Sequence, residues 1–147
     1  MEKSSDIYHL SYVSTGCDCI RFEDIKDILE IARKNNEDDQ ITGILVYCNK
    51  HFFQILEGEK EAIIELFNKI SIDRRHDNVI KIQEGYIEQR HFDKWNMAFK
   101  SFNKELRDLD NFNTEQFYSY INRQLENDQT GNGISLKILA DFFDLNG

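Results

Sequence analysis

Apolar and polar positions recur with two different periods along the first two thirds of the chain. Runs rich in Ile, Val, Tyr and Phe, with side chains that alternate between two faces, predict strands at residues 7–13, 41–48, 51–57, 79–87 and 95–99. Apolar positions three and four residues apart predict helices at residues 22–36 and 60–72. Two strand-forming runs flank the short polar break Asn49-Lys50, which predicts a β-hairpin. The order βαββαββ predicts an α+β fold, a ferredoxin-like sandwich with a five-stranded mixed sheet and two helices on one face.

The strand predicted at residues 41–48 is apolar on both faces, the pattern of a central strand that is covered on both sides. Two helices cover only one face, so we expect the C-terminal tail to cover the other. Apolar residues at four-residue steps predict tail helices at residues 114–127 and 134–143, separated by the DQTGNG stretch. We therefore divide the chain into a domain at residues 1–102 and a helical extension at residues 103–147, expected to act as a cap or output element.

Charge and composition disfavour several classes of function. The chain has 147 residues and a formal net charge of -9, which disfavours nucleic acid and anionic membranes as partners because both attract basic surfaces. No apolar run approaches the roughly 20 residues of a membrane-spanning helix, and the start MEKSSD lacks the apolar stretch of a signal peptide. The cysteines form no disulfide pattern, and neither they nor the histidines have the spacing of a metal site. We expect a cytoplasmic protein that binds no metal.

One glutamine lies inside an otherwise apolar strand. In the run F-F-Q-I-L, Gln54 shares a face with Phe52 and Leu56. A buried amide with unpaired groups costs about 1–3 kcal/mol, so a buried Gln54 needs dedicated partners. The alternative is a glutamine on a solvated edge. Tyr12 lies late in the first strand on the helix-facing side. It is either a site residue or a core tyrosine whose hydroxyl forms a hydrogen bond with any available partner.

Two polar clusters allow both a structural and a functional interpretation. Asn35 and Asn36 end the first predicted helix, where their amides either cap the helix or contact the carbonyl and imide edge of a planar heterocycle. The basic run Arg74-Arg75-His76 follows the second helix and either holds a phosphate or interacts with the negative end of that helix. These alternatives stay open on the residues alone.

Five motifs in a fixed order resemble the BLUF family of blue-light sensors that use flavin. They are L-S-Y in the first strand, R-K-N-N-x4-I-T-G-I-L across the first helix end and second strand, F-Q-I-L-E-G-E, D-R-R-H, and F-D-K-W-N-M. Each motif alone is weakly specific, whereas the ordered set, from residue 7 to about residue 99, is strongly specific. The chain departs from the family pattern at Asn96, in place of the usual serine, and at Lys69, in place of a frequent arginine.

The resemblance implies a noncovalent flavin, FAD or FMN, between the two helices. It implies that Tyr12 gives an electron and a proton in the light reaction, and that Gln54 rearranges to produce a reversible red-shifted state. The cofactor contacts that match by position are Tyr12, Ile28, Asn35, Asn36, Gln54, Lys69, Ile70, Asp73, Arg75 and His76. The matching signal relay is Trp95, Asn96 and Met97. For Trp95 and Met97, plain packing in the last strand is the alternative.

The expected function is therefore a blue-light photoreceptor, and not an enzyme, with residues 1–102 as the photosensor domain. We expect the tail to pass the signal to a downstream protein of unknown identity or to a homo-oligomer, because apolar faces remain exposed. Two alternatives stay open: a flavin-dependent redox enzyme with the same pocket, and a ferredoxin-like binding module without flavin. The sequence also leaves open the choice among FAD, FMN and riboflavin, and whether Trp95 or Met97 lies beside Gln54.

Overall fold

The computed structural model describes residues 6–16, 21–48, 50–90, 92, 97–101 and 119 of the chain. Its elements are β1 (Ile7–Gly16), α1 (Phe22–Asp39), β2 (Thr42–Cys48), β3 (His51–Gly58), α2 (Lys60–Ser71), β4 (His76–Ile87) and β5 (Ala98–Ser101). Within these residues the predicted order βαββαββ is confirmed.

The five strands form one mixed sheet in the order β4-β1-β3-β2-β5. β1 pairs antiparallel with both β3 and β4, and β2 pairs antiparallel with β3. β5 joins β2 in the parallel direction. A five-stranded mixed sheet with two helices is the ferredoxin-like α+β architecture that the sequence predicts. β3 lies at the centre of the sheet, and this position matters for the residues that it carries.

One face of the sheet packs against both helices. Leu10 and Leu56 from the sheet, Leu29 from α1 and Ile63 from α2 are fully buried in one apolar cluster. Ile25 and Leu29 are four residues apart, so both point from one face of α1 into this cluster. Burial of each such side chain stabilises the fold by about 1.5–3 kcal/mol. The helical apolar stripes seen in the sequence therefore become the core beneath the helices.

The opposite face of the sheet is buried as well. Four of its side chains on β2 and β3 are at most 2% exposed: Ile44, Val46, Phe53 and Ile55. β2 is therefore covered on both sides, as the sequence predicts, and β3 is covered on both sides as well. The tail helices that we expected to form the cover lie outside the described residues, except for Ser119, which is helical and exposed.

The first helix ends later than predicted. α1 continues through Asn35 and Asn36 to Asp39, and Gln40 then takes a left-handed conformation with φ of 56°. The capping interpretation of the two asparagines is therefore wrong, because Gln40 supplies the left-handed residue that ends the helix. Asparagine lowers helix stability by at most about 0.7 kcal/mol per residue, a penalty that does not stop the helix.

Three strands also differ from the prediction at their ends. β1 continues to Gly16, and β4 begins at His76, because the ladder between these strands extends to the pair Gly16–His76. His76 is thus a strand residue and not part of the preceding turn. β5 begins at Ala98, where parallel pairing with Ile44 starts. The predicted start of this strand at residue 95 is wrong, because Met97 precedes the strand.

β2 and β3 form the predicted hairpin. Cys48 pairs with His51, so two residues connect the strands. Lys50 in this connection has a left-handed conformation with φ of 70°, as is typical of two-residue turns whose twist matches that of the flanking strands. The Lys50 carbonyl accepts a hydrogen bond from the Gly16 amide at 2.6 Å. The turn is therefore tied to the end of β1.

Gly43 in β2 lies where the backbone of β3 approaches closely. A Cβ at Gly43 would overlap with the carbonyl oxygen of Ile55, whereas at Gly58 the nearest atom would be at 3.4 Å. We expect Gly43→Ala to lower the free energy of unfolding by about 1–3 kcal/mol, the usual range for overpacking. Gly58→Ala, the control, should change it little. Urea denaturation measures both values, and equal losses in the two variants would contradict this explanation.

Candidate functional site

A cleft lies between α1, α2 and the helix-facing side of the sheet. It contains about 670 Å³ of space, part of which is open solvent outside the protein. Its lining residues are Tyr12, Ile28, Ala32, Leu45, Gln54, Leu66, Lys69, Ile70, Asp73 and Arg75. The fold thus brings together, in one cleft, most of the cofactor contacts expected from the sequence.

The cleft has two apolar walls. α1 contributes Ile28 and Ala32, and α2 contributes Leu66 and Ile70. The two residues of each pair are four positions apart, so they lie one turn apart on the same face of their helix. Walls of this kind can hold a flat apolar ring, with a few polar groups left to contact its edge.

Tyr12 and Gln54 form a polar floor. The register places Gln54 of β3 between Tyr12 of β1 and Leu45 of β2. The Tyr12 hydroxyl donates a hydrogen bond to Oε1 of Gln54. Both side chains are buried, with 1% of Tyr12 and 5% of Gln54 exposed. The strand register therefore holds the phenol and the amide together, without any contribution from a loop.

The amide nitrogen of Gln54 has a weak partner. Nε2 donates to Sδ of Met97 at 3.3 Å, and a thioether sulfur is a weak acceptor. No second acceptor for this amide is found among the described residues. An unpaired buried donor costs about 1–3 kcal/mol. Gln54 is therefore able to donate to an acceptor that enters the cleft.

Met97 lies beside Gln54. The Met97 side chain is 1% exposed, and its backbone carbonyl accepts a hydrogen bond from Nε of Arg33 on α1 at 3.2 Å. The two other expected relay residues, Trp95 and Asn96, lie outside the described residues.

Burial keeps the Tyr12 phenol protonated. Desolvation raises the pKa of Tyr12 well above its usual value, and the negative charge of Asp73 raises this pKa further. The ring packs against Phe67 of α2, with 5.6 Å between the ring centroids. At neutral pH, Tyr12 is therefore a neutral phenol whose proton is directed at Gln54.

Charged residues surround the mouth of the cleft. Nη2 of Arg75 lies 2.7 Å from Oδ2 of Asp73, and Nη1 lies 3.2 Å from Oδ2 of Asp27 on α1. Hydrogen bonding to Asp73 is the largest cause of the raised pKa of Arg75. Lys69 is 70% exposed and pairs with Glu65 at 3.6 Å, an arrangement that contributes little to stability. The mouth therefore presents both signs of charge, and Arg75 links α1 to the connection after α2.

Three of the expected cofactor contacts are described only in their backbone. Asn35 and Asn36 lie near the end of α1, and His76 begins β4.

In the same described part of the chain, no group of three or more histidine, cysteine or acidic side chains could hold a metal ion. Nor does any helix there combine the length and the apolar character that crossing a membrane requires.

The residues assigned from the sequence do not include three that line the cleft, namely Ala32, Leu45 and Leu66. Helical periodicity could have identified Ala32 and Leu66, because each lies four positions from an assigned contact. Leu45 requires the hairpin register, which pairs it with Gln54. All three are apolar, and the signal that marks them is therefore their spacing and not their chemistry.

The sequence matches a known family over most of the described region. Residues 7–98 match the profile of BLUF, described as sensors of blue-light using FAD. The blue light- and temperature-regulated antirepressor BluF of Escherichia coli (strain K12) is 33% identical over 84 residues, which are 57% of this chain and 21% of that protein. Photoactivated adenylate cyclase subunit alpha of Euglena gracilis is 37% identical over 81 residues, which are 55% of this chain and 8% of that protein. The match thus spans about a fifth or less of these relatives.

Solved structures show the same fold at similar identity. The dark-state structure of BlrB, a BLUF protein, superposes with a TM-score of 0.65 at 30% identity, covering 83% of this chain and 96% of that one. The ground state of BlsA superposes with a TM-score of 0.65 at 31% identity, covering 84% of this chain and 91% of that one.

Proposed function

This chain belongs to the BLUF family, whose members bind a flavin noncovalently, and from that premise we propose that it is a blue-light photoreceptor with Tyr12 and Gln54 as its photochemical switch. In this proposal the flavin, FAD or FMN, occupies the cleft between α1 and α2. The chain acts as a sensor and catalyses no reaction of its own. The cytoplasm, expected from the cysteine usage, is the proposed location.

The arrangement of Gln54 is the observation that carries this proposal. Its carbonyl end already accepts from Tyr12, while its amide end donates to a thioether at the edge of an open cleft. A ring carbonyl is a stronger acceptor than a thioether, so the residues present fit a flavin. A glutamine with only a packing role would gain nothing from such a weakly paired buried amide.

The rest of the cleft fits the same group. Ile28 and Ile70 stand on opposite helices as apolar walls, and we assign them to the two faces of the ring. Asn36, with Asn35 nearby, is assigned to the polar edge of the ring, as the family resemblance implies. Lys69, Asp73, Arg75 and His76 are assigned to the rim and to the side-chain tail of the cofactor. The remaining lining is apolar, as the ring system requires.

The proposed reaction uses contacts that already exist. When bound and excited by blue light, the flavin supplies a strong oxidant. Tyr12 gives up an electron, and its phenolic proton moves along the hydrogen bond to Oε1 of Gln54. Gln54 then rotates or changes tautomer, so that its donor and acceptor ends exchange partners. The electron and the proton then return to Tyr12. The change that remains is the altered hydrogen-bond pattern of Gln54, which is observed as a reversible red shift in absorption.

The proposed output leaves the site through Met97. A change in the amide of Gln54 removes or strengthens its contact with the Met97 sulfur, and Met97 directly precedes β5. From there we propose transmission, with Trp95 and Asn96, to the extension at residues 103–147 and on to a protein partner or a homo-oligomer. The E. coli relative is named an antirepressor and the Euglena relative a cyclase subunit, so a BLUF domain can serve different outputs.

Absorption spectroscopy of the purified protein tests this function. We expect a yellow protein whose flavin is released by heat, and whose absorption shifts to the red under blue light and returns in the dark. Protein that binds neither FAD nor FMN on reconstitution would be a binding module without flavin, contrary to the proposal. Steady-state oxidation of NADH by the flavin-loaded protein would instead identify a redox enzyme.

A further inference from the structure

Arg33 connects helix α1 to the residue beside the switch. Its Nε donates to the backbone carbonyl of Met97 at 3.2 Å, and Met97 in turn accepts from Gln54 through its sulfur at 3.3 Å. Arg33 directly follows Ala32, which lines the cleft. A continuous chain of hydrogen bonds therefore runs from Tyr12 through Gln54 and Met97 into α1.

The position of Arg33 is costly for a charged group. Desolvation lowers the pKa of Arg33, although the negative charge of Glu30 acts in the opposite direction. Its Nη2 is buried and has no hydrogen-bond partner in the part of the chain that the structure describes. An arginine on a helix surface can usually extend its guanidinium into water. The bond to Met97 therefore holds this side chain inward, against the cost of desolvation.

The two bonds that hold Met97 differ in strength. A hydrogen bond from a guanidinium is charge-assisted and therefore strong, whereas a thioether is a weak acceptor. A change at Gln54 therefore alters the weaker bond first, while Arg33 keeps its hold on the backbone. Displacement of Met97 then acts on the helix that carries Arg33.

We propose that Arg33 is a positioning residue that holds Met97 against Gln54 in the dark and couples light-driven movement of Met97 to helix α1. This proposal rests on the photoreceptor function and adds a second route of output, through the helix that forms one wall of the cleft. Among the described residues, neither Tyr12 nor Gln54 forms a hydrogen bond with Arg33, so the proposed proton transfer does not run through the guanidinium.

Isotope-edited infrared spectroscopy can observe the Met97 carbonyl selectively. The chain contains two methionines, Met1 and Met97, so carbonyl-13C methionine labels Met97 with only one other site. We expect Arg33→Leu to shift the labelled band to higher frequency in the dark, because the carbonyl loses a hydrogen bond. Lys34→Leu is the matched control: it removes one positive charge at the next, exposed position of α1 and should leave the band in place.

Hydrogen exchange under illumination tests the coupling itself. In the wild type, exchange of α1 amides should change with blue light; in Arg33→Leu this response should be lost while the red shift per bound flavin is kept. Arg33→Lys retains a charged donor, so it should restore part of the dark-state band position and part of the light response of the α1 amides. The same variant tests the proposal if the leucine variant does not fold.

Three outcomes bear directly on the proposal. An unchanged labelled band in both Arg33 variants would overturn the positioning role. A wild type that shows the red shift without any light response in α1 would overturn the coupling and leave the photoreceptor function intact. A wild type without a red shift would refute the photoreceptor function, while the dark-state band would still decide whether Arg33 positions Met97.

Discussion

Replacing Tyr12 with phenylalanine is expected to leave flavin bound and to abolish the stable red-shifted state. The phenylalanine keeps the ring that packs against Phe67 and removes only the hydroxyl that donates to Gln54. Without that hydroxyl, the site has no proton to pass along the existing hydrogen bond and a much poorer electron donor. The expected effect is complete loss of the light-induced difference spectrum, not a graded reduction.

Stability should fall modestly in the same variant. Loss of the hydroxyl leaves Oε1 of Gln54 without its donor, and an unpaired buried group costs about 1–3 kcal/mol. Burial already keeps the Tyr12 phenol neutral by raising its pKa, so removal of the hydroxyl changes no charge at neutral pH. The dark spectrum should therefore change far less than the light response.

Tyr8→Phe is the matched control for this experiment. Tyr8 lies on the same face of β1 as Tyr12. Its substitution also removes one hydroxyl, which donates a hydrogen bond to Oε2 of Glu84 at 2.8 Å. Tyr8 does not line the cleft, so its variant should keep a normal photocycle. A normal photocycle in Tyr12→Phe, with flavin content equal to that of the control, would remove Tyr12 from the mechanism.

Local patterns were sufficient to predict the architecture. Apolar spacing at Ile25 and Leu29 predicts a helix that packs on the sheet, and two apolar faces on β2 predict a strand covered on both sides. Both features depend on which side chains must leave water, a property of the residues themselves. The ends of elements are less predictable. The end of α1 depends on the left-handed backbone of Gln40, and the start of β5 depends on the long-range pairing of Ala98 with Ile44.

The contacts that make the site could not follow from local patterns. Tyr12 and Gln54 are 42 positions apart, and only the register between β1 and β3 places them opposite each other. The family resemblance identified this pair, which periodicity alone left open. Arg33 and Met97 are 64 positions apart, and no motif marks their contact. A single-residue change of register would turn Gln54 to the other face of the sheet.

Gln54→Leu is expected to bind flavin and to show no red shift under blue light. Leucine is similar in size and apolar, so it fills the space between Tyr12 and Leu45 without an amide. The Tyr12 hydroxyl then loses its acceptor, and Met97 loses the donor at its sulfur. Electron transfer from Tyr12 remains feasible, but no group is left whose hydrogen-bond pattern can persist after the electron returns.

Gln54→Glu is the sharper variant because it changes the bridge before illumination. An ionised carboxylate accepts hydrogen bonds but does not donate, so in that form the contact with Tyr12 can survive while donation towards the cleft and Met97 is lost. We expect a dark spectrum that already differs from wild type and a light response that is lost or strongly reduced. Gln83→Glu on β4 is the control, since Gln83 pairs with Ser11 and lies outside the cleft. Difference spectra under blue light, at matched flavin content, distinguish the two roles. Wild-type photocycles in both Gln54 variants would make Gln54 a packing residue. Loss of the red shift in both variants, with a normal photocycle in the Gln83 variant, would identify the Gln54 amide as the switch.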